Sequence, residues 1–331
     1  MTYYLKYRPQ IIDELDIISV RDALNNIVKS GEIPHAFLFS GPKGTGKTSA
    51  ARILSKIINC ESSLKTKPCN KCENCLTITK GTNIDVIEMD AASNRGIDDI
   101  RALRDVVKLS PSKAKAKIYI IDEAHMLTTE ASNALLKTLE EPPSHVYFIL
   151  ATTNPEKLIE TIRSRTTVIN FTKATYEETK RSLERIIKSE KIKIEEEELI
   201  KIIKLSKGSF RDAVKLLEQR SKDDKFLKNQ QTFDADHFVE ILKTKNTDKL
   251  IEEIEKASKN GSGAATITES ILEELQKKLL QTHISKEETD LNKDELICLI
   301  ELILKTQEFN NITPIEDLPL QIAIIKWCNF K

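Results

Sequence analysis

Gly41-Pro42-Lys43-Gly44-Thr45-Gly46-Lys47-Thr48 decides how this chain reads. The stretch fits G-x-x-x-x-G-K-[ST]. It stands between a short apolar run, Ala36–Phe39, and a helical pattern, Lys47–Ile58. Strand, glycine-rich turn and helix in that order are the context a phosphate-binding loop requires. Gly41, Gly44 and Gly46 let the backbone curl so that its N–H groups point at phosphate oxygens. The helix amino end adds a favourable dipole. Lys47 would place its charge on the β- and γ-phosphates, and the Thr48 hydroxyl would ligate Mg²⁺. Thr45 and Ser49 complete the loop residues expected to touch a nucleotide. A chance match in a glycine-rich turn is the rival reading, and it fails because pattern and placement agree.

Such a loop needs an acidic partner at the end of another strand. Ile118-Tyr119-Ile120-Ile121-Asp122-Glu123 supplies one. Four apolar residues make a buried strand, and the acids emerge at its carboxyl edge. Asp122 would hold Mg²⁺ and Glu123 would polarise the attacking water. Phosphoryl transfer needs mainly positioning and charge neutralisation, so these groups with Lys47 suffice for slow hydrolysis. Asp122-Glu123-Ala124-His125 also spells a box found in helicases. His125 reads equally well as a structural hydrogen-bonding group and is left out of the chemistry.

Cys60, Cys69, Cys72 and Cys75 follow C-x8-C-x2-C-x2-C directly after the phosphate-loop helix. Four thiolates favour tetrahedral Zn²⁺ in a closed, structural site that clamps the loop Glu61–Lys80. An iron–sulfur cluster and unbound thiols remain open. Cys298 and Cys328 sit in apolar helical patterns and read as core.

Around these motifs the chain has 331 residues, 40% hydrophobic and 31% charged. That suits a soluble protein with a real core and excludes collagen-like, mucin-like and wholly disordered classes. Lys+Arg and Asp+Glu both number 51, so any basic surface is local. Aromatics at 5% argue against base stacking as the main source of affinity. No run approaches the ~20 apolar residues of a membrane span. Met1–Lys6 has no apolar signal core. Both point to the cytoplasm.

Short β-branched or aromatic runs at Ala36–Phe39, Val86–Met89, Lys117–Ile121, Val146–Ala151 and Val168–Phe171 alternate with helical patterns. Buried parallel strands look like this. Beyond Thr175 the strand signal stops, and Tyr176–Glu190, Glu195–Leu205 and Phe210–Ser221 read as amphipathic helices, with Leu183, Ile186 and Ile187 on one face. Glu195–Glu198 reads as a solvated helix start. Lys222–Gln231 suits a linker, and Thr232–Lys331 is again helical, interrupted at Asn260–Gly263 and Ser285–Lys293. The fold class is therefore α/β plus all-α. Its parts are a phosphate-loop ATPase domain at 1–171 with a four-cysteine, candidate zinc-binding insert at 60–75, a small helical domain at 172–228 and a helical domain at 229–331.

Together these motifs resemble the gamma/tau subunit family of bacterial DNA polymerase III, of the AAA+ type. Further carriers of the resemblance are Lys6-Tyr7-Arg8-Pro9-Gln10, His35–Gly41, Asp90–Ser93, Asn133–Pro143 and Ala151–Pro155. The four-cysteine insert after the phosphate-loop helix is characteristic of that family. The resemblance implies a motor subunit of the sliding-clamp loader, working with ATP, Mg²⁺ and Zn²⁺. Its implied partners are delta, delta-prime and further gamma/tau copies, the beta sliding clamp, and primer–template DNA without sequence preference. The region 229–331 would be an oligomerising collar, and the chain's length resembles the short gamma-like form.

The resemblance also assigns roles to single residues. Thr153 looks like the sensor that feels the γ-phosphate, and Arg211 like the lid's arginine over the nucleotide. Tyr7 and Arg8 fall in the stretch that packs near the adenine. Ser164-Arg165 matches a Ser-Arg-Cys motif whose arginine enters the neighbouring subunit's ATP site, with Thr166 in place of the cysteine. Asp16-Ile17-Ile18-Ser19 stands where the family has Val-Gly-Gln. Ser93, Asn94, Arg95 and Arg101 are candidates for DNA phosphate contacts. The competing functions are a helicase-like remodeller, a non-hydrolysing clamp-loader scaffold and a zinc-based DNA-binding module. No constellation for nucleotide polymerisation is present, so a polymerase label would belong to the holoenzyme.

Overall fold

Period-two alternation in the apolar runs places successive side chains on opposite faces of a sheet. The computed structural model has that sheet. It describes residues 2–62, 68–94, 96, 100, 106–223, 226, 233–259, 263–284, 293–309 and 313–329. The strands are β1 (Ala36–Ser40), β2 (Val86–Asp90), β3 (Lys117–Asp122), β4 (Val146–Thr152) and β5 (Thr167–Asn170). They pair in parallel in the order β2-β3-β4-β1-β5. Phe37, Phe39, Ile118, Ile120 and Ile149 pack on one side with Ala50, Ile53 and Leu54 of α3 (Lys47–Asn59). Leu38, Tyr119, Ile121, Phe148 and Leu150 pack on the other with Ala131 and Leu135 of the helix Thr129–Glu140. A sheet covered on both faces explains why its strands are continuous apolar runs.

Before the sheet come α1 (Tyr3–Lys6) and α2 (Ile18–Ser30). After α3 come α4 (Glu73–Lys80), α5 (Thr129–Glu140) and α6 (Glu160–Arg163). Beyond the sheet follow α7 (Tyr176–Glu190), α8 (Glu196–Leu205) and α9 (Phe210–Lys222). Thr175 starts α7 with a full capping box to Glu178, satisfying backbone N–H groups at both residues. Leu183 and Ile186 are buried and Ile187 half-buried, so the expected face is the packed one. Glu195–Glu198 does start a helix, but Glu198 is not simply solvated. Its carboxylate takes Arg220 Nε at 2.9 Å and Nη2 at 2.8 Å, joining α8 to α9.

The chain divides into two compact units, Met1–Asp224 and Lys225–Lys331. The sheet and helices α7–α9 share the first. The second is helical: α10 (Ala235–Lys243), α11 (Thr247–Lys259), α12 (Ala264–Ile284), α13 (Lys293–Phe309) and α14 (Leu318–Cys328). Its core includes Phe238, Leu242, Ile254, Ile271, Leu299, Ile303 and Trp327, with Cys298 and Cys328 half-buried against it. Trp327 Nε1 donates to the Leu242 carbonyl at 3.4 Å, so this buried indole keeps a partner. Among the described residues no helix is long and apolar enough to cross a membrane.

Candidate nucleotide and metal sites

The carboxyl ends of parallel strands leave backbone N–H groups and loops free for a ligand. Here β1 runs into the glycine loop, and α3 starts at Lys47 with Gly46 at φ 98° as its N-cap. Gly41 has φ 146°, and a Cβ there would stand 1.9 Å from the Phe171 carbonyl oxygen. Phe171 just after β5 therefore fixes where the loop begins. A Cβ on Gly44 would meet Ser209 Oγ at 2.1 Å, so the loop also lies directly against the N-cap of α9.

Lys47 is only 6% exposed. Its Nζ donates to the carbonyls of Gly41 at 2.7 Å and Pro42 at 2.9 Å. Burial lowers its pKa, while Glu123 and Asp122 pull it back up. Thr45 Oγ1 donates to the Pro42 carbonyl at 2.8 Å, bracing the loop. Thr48 Oγ1 donates to Asp122 Oδ2 at 2.8 Å, joining α3 to the end of β3. A hydroxyl and a carboxylate so placed can share a divalent cation.

Glu123 follows in the left-handed region at φ 47°. Its Oε2 accepts the Thr153 hydroxyl at 2.9 Å and lies 3.4 Å from His125 Nδ1. His125 Nδ1 also sits 3.0 Å from Thr152 Oγ1. The structure thus gathers Lys47, Thr48, Asp122, Glu123 and Thr153 at one edge of the sheet. It adds His125, which the sequence reading set aside. The signal for it was its place two residues after Glu123.

The amino-terminal strap runs from this edge to α7. Arg8 Nε donates to Ser49 Oγ at 2.9 Å, and burial, chiefly, lowers its pKa. Tyr7 donates its hydroxyl to Glu190 at 2.6 Å. Asp16, 7% exposed, pairs with Arg181 and Arg185 of α7. Asp16 thus ties the amino-terminal strap to α7 through a buried carboxylate. Arg211 is exposed and lies over the Tyr4 ring at 5.1 Å, while its backbone N–H reaches the Gly44 carbonyl at 3.4 Å. Arg165 is not in this group. It is exposed, pairs with Glu140 and donates to the Thr161 carbonyl at 3.0 Å. Ser93 and Asn94 form a turn on the Asp90 carbonyl, whereas Arg95 and Arg101 lie outside the described residues.

At the far end of α3 the sulfurs of Cys60, Cys69, Cys72 and Cys75 all lie within 4.8 Å of one another. Cys69 and Cys75 sulfurs are 3.9 Å apart, near the ~3.8 Å edge of a tetrahedron with 2.3 Å metal–sulfur bonds. Amide N–H groups of Lys71 and Cys72 point at Cys69 Sγ at 3.5 and 3.3 Å, and that of Cys69 at Cys60 Sγ at 3.4 Å. The N–H groups on Cys69 Sγ lower its thiol pKa to about 6, while burial raises that of Cys75. Four thiols so gathered can hold one metal ion.

A family model described as "DNA polymerase III, delta subunit" matches residues 19–175. Over 219 residues the chain is 47% identical to Bacillus subtilis DNA polymerase III subunit tau, covering 65% of this chain and 38% of that protein. It is 43% identical over 225 residues to DNA polymerase III subunit gamma of Buchnera aphidicola, covering 66% and 60%. The chain thus spans well under two thirds of the tau relative's length. Among solved structures it is similar to the Thermotoga maritima RuvB Holliday junction branch migration motor. There the identity is 19% and the TM-score 0.47, with 96% of this chain and 91% of that one covered. With β1 feeding the glycine loop and Asp122 closing β3 in an all-parallel sheet, this chain is homologous over about two thirds of its length to the gamma and tau subunits of bacterial DNA polymerase III.

Proposed function

We propose that this chain is an ATP-hydrolysing motor subunit of the bacterial clamp loader, acting in the cytoplasm to place a sliding clamp on primed DNA. The observation that carries the reading is the Thr48–Asp122 bond beside the buried Lys47, in a chain 47% identical to a tau subunit. ATP would lie on the loop 41–48, with Lys47 on its phosphates and Thr48 and Asp122 holding Mg²⁺, which neutralises phosphate charge. Glu123, placed by Thr153 and His125, would orient the attacking water. Arg211 would reach in from the lid, and Tyr7 and Arg8 would flank the base. Arg165 would act on a neighbouring subunit's nucleotide. Residues 1–171, 172–228 and 229–331 would serve as motor, lid and collar. Zn²⁺ on the four cysteines would fix the insert at 60–75 and take no part in catalysis.

The delta-subunit family model supports a second reading, a non-hydrolysing scaffold among the same subunits. Lys47, Thr48, Asp122 and Glu123 all stand in this chain and favour the motor. One assay separates the two. ATP turnover is measured with delta-type partners, clamp and primed DNA, for the wild-type chain and for Glu123→Gln. The motor predicts DNA-stimulated turnover lost in the variant with ATP binding retained. Equal turnover in both leaves the scaffold.

A further inference from the structure

Lys56 is a cation in the wrong place for a surface residue. It lies on α3, one turn ahead of Cys60, and is 1% exposed. Its Nζ has three acceptors, each at 2.8 Å: the Gln10 carbonyl, Gln10 Oε1 and Asn70 Oδ1. Three separate acceptors use three N–H donors, so the group is the ammonium. All three acceptors are neutral. Among the described residues no carboxylate oxygen lies within 4 Å of it. Glu14, on the same amino-terminal strap, has Oε2 on the Gln10 amide at 2.6 Å. Glu14 favours the Lys56 charge only from beyond ion-pair distance, and a buried charge without an ion pair of its own is costly.

The cysteine cluster offers the missing anion. Asn70 sits between Cys69 and Cys72, with its backbone in the left-handed region at φ 55° that Asn tolerates better than most residues. Its side chain therefore links Lys56 to the loop that carries the sulfurs. Four cysteines that take up a divalent ion release their protons, and the filled site carries a net charge of −2, four thiolates against one divalent cation. Backbone N–H groups offset part of that charge, and a cation held close by offsets more.

We infer that Lys56 is the counter-charge of the cysteine metal centre, a positioning residue that balances the filled site and ties its loop to the phosphate-loop helix and the amino-terminal strap. The inference rests on reading the four thiols as a metal site. It adds a residue that C-x8-C-x2-C-x2-C does not contain. The same Lys56 reaches, through Gln10 Nε2 on the Arg8 carbonyl at 2.8 Å, the strap whose Arg8 holds Ser49. The cysteine cluster and the start of α3 are thus linked through the same strap.

The test uses the full chain loaded with Co²⁺, whose thiolate charge-transfer band reports the charge around the sulfurs. Affinity is measured by chelator competition at pH 7. Lys56→Met should weaken metal binding by about 10- to 100-fold, as loss of outer-shell partners does elsewhere. It should also move the band to longer wavelength, because thiolate electrons lose a stabilising charge. Lys56→Arg should restore both. Gln10→Ala, which removes an acceptor and keeps the ammonium, should leave the band where it is. Lys56→Gln keeps a polar donor toward Asn70 and gives the same readouts should the Met variant not fold. Unchanged affinity and band in Lys56→Met or Lys56→Gln overturns the inference while the metal site stands. A wild-type chain that takes up no metal overturns both.

Discussion

The Thr48 hydroxyl donates a 2.8 Å hydrogen bond to the Asp122 carboxylate, across the gap between the phosphate-loop helix and the end of β3. These two side chains come from segments 74 residues apart, and only the parallel pairing through β4 brings them together. A hydrogen bond to a charged group contributes about 1.5–3 kcal/mol. Thr48→Val removes it at nearly constant volume. The expected result is a fall in kcat/KM for Mg·ATP of about 10- to 100-fold with the fold intact. Steady-state turnover across Mg²⁺ concentrations checks it.

Arg165 is held on its own chain by Glu140 and the Thr161 carbonyl. A surface ion pair of this kind contributes about 0–1 kcal/mol, too little to stop the side chain swinging into a neighbouring subunit. Arg165→Ala should therefore leave ATP affinity of the isolated chain within about twofold. In the assembled loader it should cut stimulated hydrolysis by about 10³-fold or more, as loss of an arginine finger does. Fluorescent-nucleotide titration and a turnover assay on mixed subunits separate the two effects.

Gly41 and Gly46 both have positive φ, but only Gly41 is crowded. Gly41→Ala forces its Cβ onto the Phe171 carbonyl, and overpacking of this sort costs about 1–3 kcal/mol beyond the backbone strain. Gly46→Ala meets nothing within 4 Å and carries the strain alone. Calorimetric melting should place Gly41→Ala below Gly46→Ala, with both below wild type.

Asp85 is 1% exposed and accepts N–H bonds from Ser112 at 2.7 Å and from Lys113 and Ala114 at 2.8 Å. Burial pushes its pKa up, but the three amides and Lys117 outweigh it and hold the carboxyl below its usual 3.8. A carboxylate depressed in the folded state stabilises it fully above that usual value. The contribution is lost as pH falls through the folded value. Asp85→Asn should lower stability at pH 7 by about 1–3 kcal/mol. The gap to wild type should close as pH drops below 3.8. Urea unfolding at a series of pH values measures this.

Much of the fold was legible because buried parallel strands leave strong local marks. All five apolar runs became strands, Tyr176–Glu190 kept its bounds and α3 ended within a residue of its expected stop. The glycine-rich turn from β1 into α3 was legible for the same reason, since its glycines and Lys47 are contiguous. What escaped the sequence depends on pairs far apart in the chain. Glu198 looked like an exposed acid until α9 brought Arg220 to it. Asp16 looked like a substitution in a pocket until α7 laid Arg181 and Arg185 over it. Lys56 carries no mark in the sequence, because nothing local says that Gln10 and Asn70 will close over its ammonium. His125 was visible, but its bond to Thr152 and approach to Glu123 were not.

The central claim is that the loop 41–48 grips a triphosphate through Lys47, whose Nζ now rests 2.7 Å from the Gly41 carbonyl. Isothermal titration of Mg·ATP into the wild-type chain and into Lys47→Ala tests it most directly. The account predicts saturable one-site binding by the wild type and a loss of at least about 100-fold in affinity in the variant, about 2.7 kcal/mol. Equal affinity in the two proteins, or no binding by the wild type, would contradict it.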